Sequence, residues 1–370
     1  MAKQTHMQPR ILAMIQVMIA ASISYLQKMK VGYKSFFYLL PVFYLSIAPN
    51  GFTQEFPPVP QLVQQTPREI SKGLIDMKTH GLGPVIPGLH QGAIPQGLSY
   101  SKTHNLIFMS FYFDKPIPSL ISVIDRSNNT ATGTFALKES ENSFHYGHVG
   151  GVTVDDTFVW ISSNGKVYKY RISDIITNIP SRELVPVSVT QTETRASFVS
   201  YYQKILFVGE FAYGSRYKTK NSHHMMNRNG VQHYAWVCGY DVNKESNGLR
   251  YILSIRQKVQ GICMTDKTIF LSISYGRRNR SIIAIYKNPL KEAPHRNATL
   301  ENGLKAPLWV LDDKNMIREI DFPPMSEGIT IIDGKLAVLP ESGAEKYQRG
   351  GLGPLDHIIL MNLEELQKIK

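Results

Sequence analysis

Three side chains bearing carbonyl or carboxylate oxygens stand at matching points of this chain. Gln96, Gln260 and Glu327 each precede a glycine and a short apolar run, as Gln96-Gly97-Leu98, Gln260-Gly261-Ile262 and Glu327-Gly328-Ile329. Gly150-Gly151-Val152 and Ser197-Phe198-Val199 begin two further runs of the same kind. Each is followed by a second apolar run, and these second runs end at Ser110, Ser163, Glu210, Ser274 and Glu341. Carboxylates and amide carbonyls are the donors that a hard cation such as Ca²⁺ takes. A glutamate and a histidine beside such an ion can act as general base and acid. On this basis Glu327 is the candidate metal ligand, and Glu327 with His148 the candidate catalytic pair. Gln96, His148, Glu210, Gln260 and Glu341 are the candidate ligand-binding residues.

Residues so far apart in sequence converge only if a repeated element positions them. The five starts recur at intervals of roughly 50–70 residues, against roughly 40–50 for a bare four-stranded propeller blade. Their valine, isoleucine, phenylalanine and tyrosine content favours strands. Asp155-Asp156, Thr265-Asp266 and Asp333-Gly334 supply turns. The pattern predicts an all-β propeller of five blades, or six if residues 53–95 hold a degenerate one. Blade two should end in LVPVSVT and blade four in an outer strand near WVLDD. Blade five lacks an outer strand, so a strand from the Pro- and Gly-rich lead-in, 49–95, should close the ring and remove its free edges. In a propeller the innermost strands line the channel. Their first residues and the ends of the second strands then share one mouth. Hydration alone accounts for polar residues in a wet channel. Glu327 is the hardest to explain that way, because burying an unpaired carboxylate is costly.

Other features carry less chemistry. The insertion from Ala212 to Gln232, with Tyr213, Arg216, Tyr217, His223 and His224, reads as a surface loop on the Glu210 face, with His233 just beyond it. Adjacent histidines are a poor ligand spacing on a strand or helix. Arg277-Arg278-Asn279-Arg280 reads as a solvated hairpin tip, with anion binding as the alternative. Cys238 and Cys263 lie in apolar runs of neighbouring blades. Either both are core residues or they form one disulfide. No nucleophile elbow, phosphate loop, HExxH or CxxC motif is present in the sequence.

The domain boundaries follow from composition. Residues 1–48 contain no acid and two apolar runs flanking a basic stretch, Lys28 to Lys34. Read from Met29, this is a signal peptide ending at Ser46-Ile47-Ala48. Pro49 disfavours cleavage there, so the alternative is an anchor formed by residues 35–48, short against the ~20 residues of a spanning helix. The propeller proper is 96–370. The expected location is outside the cytoplasm, periplasmic or secreted. The net charge is +12, and about +7 remains outside the leader, enough for weak attraction to anionic surfaces. Without a basic helix or base-stacking motif, nucleic acid is excluded as a partner. The expected state is a monomer touching membrane only through its leader, with a small molecule, glycan or protein as ligand.

The phrases GHVGGVTV, VWISSNGKVYKYRISDI, VQGICMT, LSISYGR and SEGITIIDGKLAVLPESGAEKY resemble an uncharacterised family of secreted bacterial β-propeller proteins, over roughly Gln96 to Leu363. More faintly, the Glu-Gly-Ile start of blade five is similar to the calcium-dependent gluconolactonase and strictosidine-synthase-like propellers, which implies a metal-ligand role for Glu327. Two functions are therefore expected: a binding or scaffold module working through the channel mouth, or a metal-dependent hydrolase of lactonase or esterase type.

Overall fold

The computed structural model describes residues 59–244 and 248–368. The leader expected over 1–48 lies outside the described residues. Five mainly antiparallel sheets stand around an axis. Their inner strands are Ile94–Ser101, Gly151–Val154, Phe198–Tyr202, Val259–Met264 and Ser326–Ile332. Each lies beside the next, and the fifth returns to the first. The described residues thus form a five-bladed propeller, with only two short α-helices, Ile172–Ile176 and Leu363–Gln367. No helix among them is long and apolar enough to cross a membrane.

The core is a set of layers between blades, which follows from strands apolar on both faces. Phe108, Ile121 and Phe135 of blade one meet Val152, Ile161 and Tyr170 of blade two. Equivalent layers join two to three, three to four and four to five. The layer that closes the circle packs Ile107, Met109 and Phe111 against Ala337, Leu339 and Ile358.

The closing strand is His80–Val85, antiparallel to His357–Asn362 at the outer edge of blade five. The lead-in before it bridges the same junction. Leu62 is buried in the closing layer, and its amide donates to Thr134 Oγ1 at 3.0 Å. The Gln64 amide donates to the carbonyls of Val85 and Asn129. Arg68 forms a fork on the buried Asp356 and donates to the Gly343 carbonyl at 2.6 Å.

Two outer strands differ from expectation. The WVLDD region does not end blade four. Lys305–Val310 runs parallel to Leu249–Ile255 of blade three and pairs with Arg296–Thr299, widening that sheet to six strands. Blade four ends instead in Met316–Phe322. Its side chains are mostly half-exposed, so it shows little hydrophobic run, whereas the apolar LWV fits either sheet. Likewise only Ser188–Gln191 completes blade two, while Glu183–Leu184 joins the edge of blade one.

The disulfide expectation is also corrected, since Cys238 and Cys263 are free and buried. Strand alternation separates them. Val237 packs toward blade four, so Cys238 turns to the opposite face. Ile262 and Met264 pack toward blade three, so Cys263 faces blade five.

Candidate functional site

The inner strands approach so closely that side chains are excluded where they cross. A Cβ on Gly97 would lie 2.3 Å from the Val152 amide nitrogen, and one on Gly328 2.6 Å from that of Leu98. Neither contact is tolerable, which is why glycine follows Gln96 and Glu327. The axial space at this crossing has a cavity volume of about 10 Å³, room for about one water. The wide, wet channel expected of a propeller is therefore absent at this level.

The same crowding redirects the neighbouring polar residues. The ladder of blade one is irregular between Pro95 and Leu98, that of blade four between Val259 and Gly261, and that of blade five between Ser326 and Ile329. Bulges of this kind re-aim side chains. The Gly97 amide freed by the first donates to Ser110 Oγ at 2.9 Å, and that hydroxyl donates to the Val149 carbonyl. At these three irregularities stand Gln96, Gln260 and Glu327.

They meet a fourth residue, Glu341, at the end of the second strand of blade five. Gln260 Nε2 donates to Glu327 Oε1 at 3.0 Å, and Gln96 Nε2 donates to Glu341 Oε2 at 3.1 Å. The two carboxyls face each other, and each influences the titration of the other. Both are buried, and that desolvation raises both above the ordinary glutamate range; the charge on Glu341 raises Glu327 further. The titration belongs to the pair.

Above the pair lies a collar that spacing alone does not mark. Tyr347, Lys346 and Glu341 come from one segment after KLAVLP. The Tyr347 and Tyr112 hydroxyls are 3.2 Å apart. Burial, then the Glu341 charge, raises the Tyr347 phenol. Lys346 Nζ donates to Asp114 Oδ1 at 2.9 Å and lies over both tyrosine rings. Arg277 caps Tyr347 from blade four, 5.0 Å from its ring centroid, and donates to the Arg349 carbonyl. The arginine run is the exposed hairpin tip expected between Thr268–Ile273 and Ser281–Lys287, and its Arg277 and Arg278 reach across to blade five.

His148 joins the collar, not the carboxyl pair. Its ring lies 3.8 Å from that of Tyr112 and is open to solvent. Crowding by the protein, then the Lys346 charge, lowers its pKa, partly offset by Asp114. No hydrogen bond brings it to Glu327, so a direct acid–base pairing of the two does not form.

Glu210 is taken up elsewhere, in its own blade. His223 Nδ1 donates to Glu210 Oε1 at 2.6 Å, and the Trp236 amide donates to the same oxygen at 3.1 Å. His223 is fully buried, stacked on Trp236 at 4.0 Å, with Nε2 3.5 Å from Glu193. The insertion runs mostly over the surface, as expected, but its His223 turns inward and covers Glu210. His223→Ala leaves a cavity and removes a charge-assisted bond, so it should cost about 3 kcal/mol in urea unfolding. It should also speed hydrogen exchange over 212–232. An unchanged midpoint with native protection there would show that the contact holds nothing.

Among the described residues, no three His, Cys, Asp or Glu side chains gather as a metal-holding group. Two glutamates and two carboxamides remain an all-oxygen donor set if the amides turn over.

No family model matches the chain, and no curated protein matches it. Solved structures do match. They include a glutaminyl cyclase from Myxococcus xanthus at 9% identity and TM-score 0.39, covering 82% of this chain and 99% of that one. A gluconolactonase from Xanthomonas campestris matches at 9% identity and TM-score 0.37, covering 83% and 89%. Hsv2 from Kluyveromyces lactis matches at 8% and 0.32, covering 67% and 70%.

Proposed function

We propose that this chain is an exported β-propeller binding module, monomeric, that recognises an extracytoplasmic small molecule at the mouth where blades one, four and five converge. One observation carries the reading. Two buried carboxyls and two carboxamides, drawn from three blades by backbone irregularities, converge under a collar of tyrosines and cations. Burying acids is expensive, and structural need alone does not call for it at the end of an apolar ring. Export rests on the composition of residues 1–48. Edman sequencing of protein recovered outside the cytoplasm should find a start near Pro49, and an intact leader on soluble cytosolic protein would refute it.

A second reading, a metal-dependent hydrolase of lactonase or esterase type, is favoured by the all-oxygen donor set, which suits Ca²⁺. One experiment separates the two. Thermal scans of wild type are run with a small-molecule panel, with Ca²⁺ and with chelator. A ligand at 100 times its Kd adds about 2.7 kcal/mol to stability. A shift with organic ligands that chelator leaves intact supports the binding module. A fall with chelator, reversed by Ca²⁺, supports the metal reading. No response to any of them overturns both.

A further inference from the structure

The collar carries an inference about what the mouth takes, and it rests on the binding reading above. The axial space is too small for more than a few atoms, so an organic ligand must sit on the collar. There its neighbours are Arg277, Lys346, Tyr347 and His148. Arg277 is exposed, held over Tyr347 and anchored by the Arg349 carbonyl. Arg278 is anchored beside it on the Gly350 carbonyl at 2.9 Å. Lys346 is occupied by Asp114, but both partners are solvent-exposed, and such a pair is weak and readily exchanged. Beneath the cations lie Glu327 and Glu341, both buried.

We infer that the mouth of the propeller binds a small hydroxylated carboxylate, its anionic group held between Arg277 and Lys346 and its ring or polyol body laid against His148 and Tyr347. A guanidinium forks onto a carboxylate with two parallel hydrogen bonds. The ligand group displaces Asp114 from Lys346. A monoanion fits better than a phosphate dianion, because the acid pair lies directly below and one cation is already partly offset. His148 offers a flat face for a sugar-like ring, since it lies tilted against Tyr112 on one side and is open to solvent.

The test uses D-galacturonate against D-galactose, with inorganic phosphate as a third probe, by calorimetry on the full mature chain. Galacturonate should bind more tightly than galactose. Arg277→Ala should weaken galacturonate roughly tenfold, the loss of one charge-assisted contact, while leaving galactose unaffected. Asp114→Asn frees Lys346 and should strengthen galacturonate binding. Galactose bound as tightly as galacturonate, with Arg277→Ala silent, overturns the carboxylate assignment and leaves the binding module standing. Preferential phosphate binding overturns it in favour of a phosphorylated ligand. No binding of any probe overturns it outright, and the broader panel above then decides whether the binding module survives.

Discussion

A chain beginning at Gln96 should fail to fold into a cooperative unit. Such a truncation keeps every inner strand except its first residues, yet it removes the strand His80–Val85 that completes blade five. It also removes Leu62, Leu74, Ile86 and Leu89, all buried. Each such side chain contributes about 1.5–3 kcal/mol on full burial, and four together rival the whole 5–15 kcal/mol that holds an ordinary domain. Two further losses add to this. Asp356 is left without Arg68, and a buried carboxylate stripped of its partner costs about 3–5 kcal/mol. The outer strand of blade five becomes an open edge, which invites association. Near-UV circular dichroism and a thermal scan are the measurements. The truncated chain should be insoluble or melt without a cooperative transition, and a soluble product melting where wild type does would show that the lead-in merely lies along the ring. A milder variant keeps the test sharp. Arg68→Ala retains every strand, so it should fold but unfold earlier in urea.

This closing role was legible in the sequence because blade five visibly lacked a fourth strand and only the N-terminal side could supply one. The ring itself was legible from the repeated polar-glycine pairs, although their physical reason was not. Spacing marks Gly97 and Gly328 as recurrent, while the backbone contact that forbids a Cβ exists only between blades. Outer strands were less legible. Lys305–Val310 carries the stronger apolar signal, but it went to blade three, where a parallel partner buries Leu308 and Val310. Met316–Phe322 carries a weaker signal because an outermost strand is half exposed. The candidate site divides the same way. Gln96, Gln260, Glu327 and Glu341 sit at strand starts and ends, so register places them together. Tyr112, Lys346, Tyr347 and Arg277 reach the collar through loops whose course no periodicity encodes. Glu210 held the right strand position, yet one buried histidine of a largely exposed insertion, His223, became its partner. The density of polar and aromatic residues in PESGAEKY was the available clue to Tyr347 and Lys346.

Glu327→Gln should change the pH dependence of stability more than stability itself. In the wild type, burial raises both Glu327 and Glu341 above the ordinary glutamate range, and the charge on Glu341 raises Glu327 further. The unfolded chain releases these protons near pH 4.3, so above that value the folded state binds more protons than the unfolded one. Stability then falls as pH rises, which is the sign required by linkage. The contribution is complete below about pH 4.3 and is lost as pH climbs through the raised values of the folded pair. The substituted glutamine imitates the protonated acid: its amide can donate to Glu341, and its carbonyl can accept from Gln260. At pH 5 the variant should therefore match wild type within about 0.5 kcal/mol, the scale of an undisruptive change. At pH 8 it should be the more stable of the two, because the glutamine has no proton whose loss destabilises the fold. Urea midpoints at the two pH values, with chelator present throughout, measure this. Equal slopes would show that no proton is held between the carboxyls. Repeating the pH 8 measurement with Ca²⁺ in place of chelator separates the metal reading. If a cation sits between Glu327 and Glu341, Ca²⁺ should stabilise wild type and leave Glu327→Gln unmoved, because neutral oxygens do not replace the lost charge. If the proton pair is the resident state, Ca²⁺ should move neither midpoint.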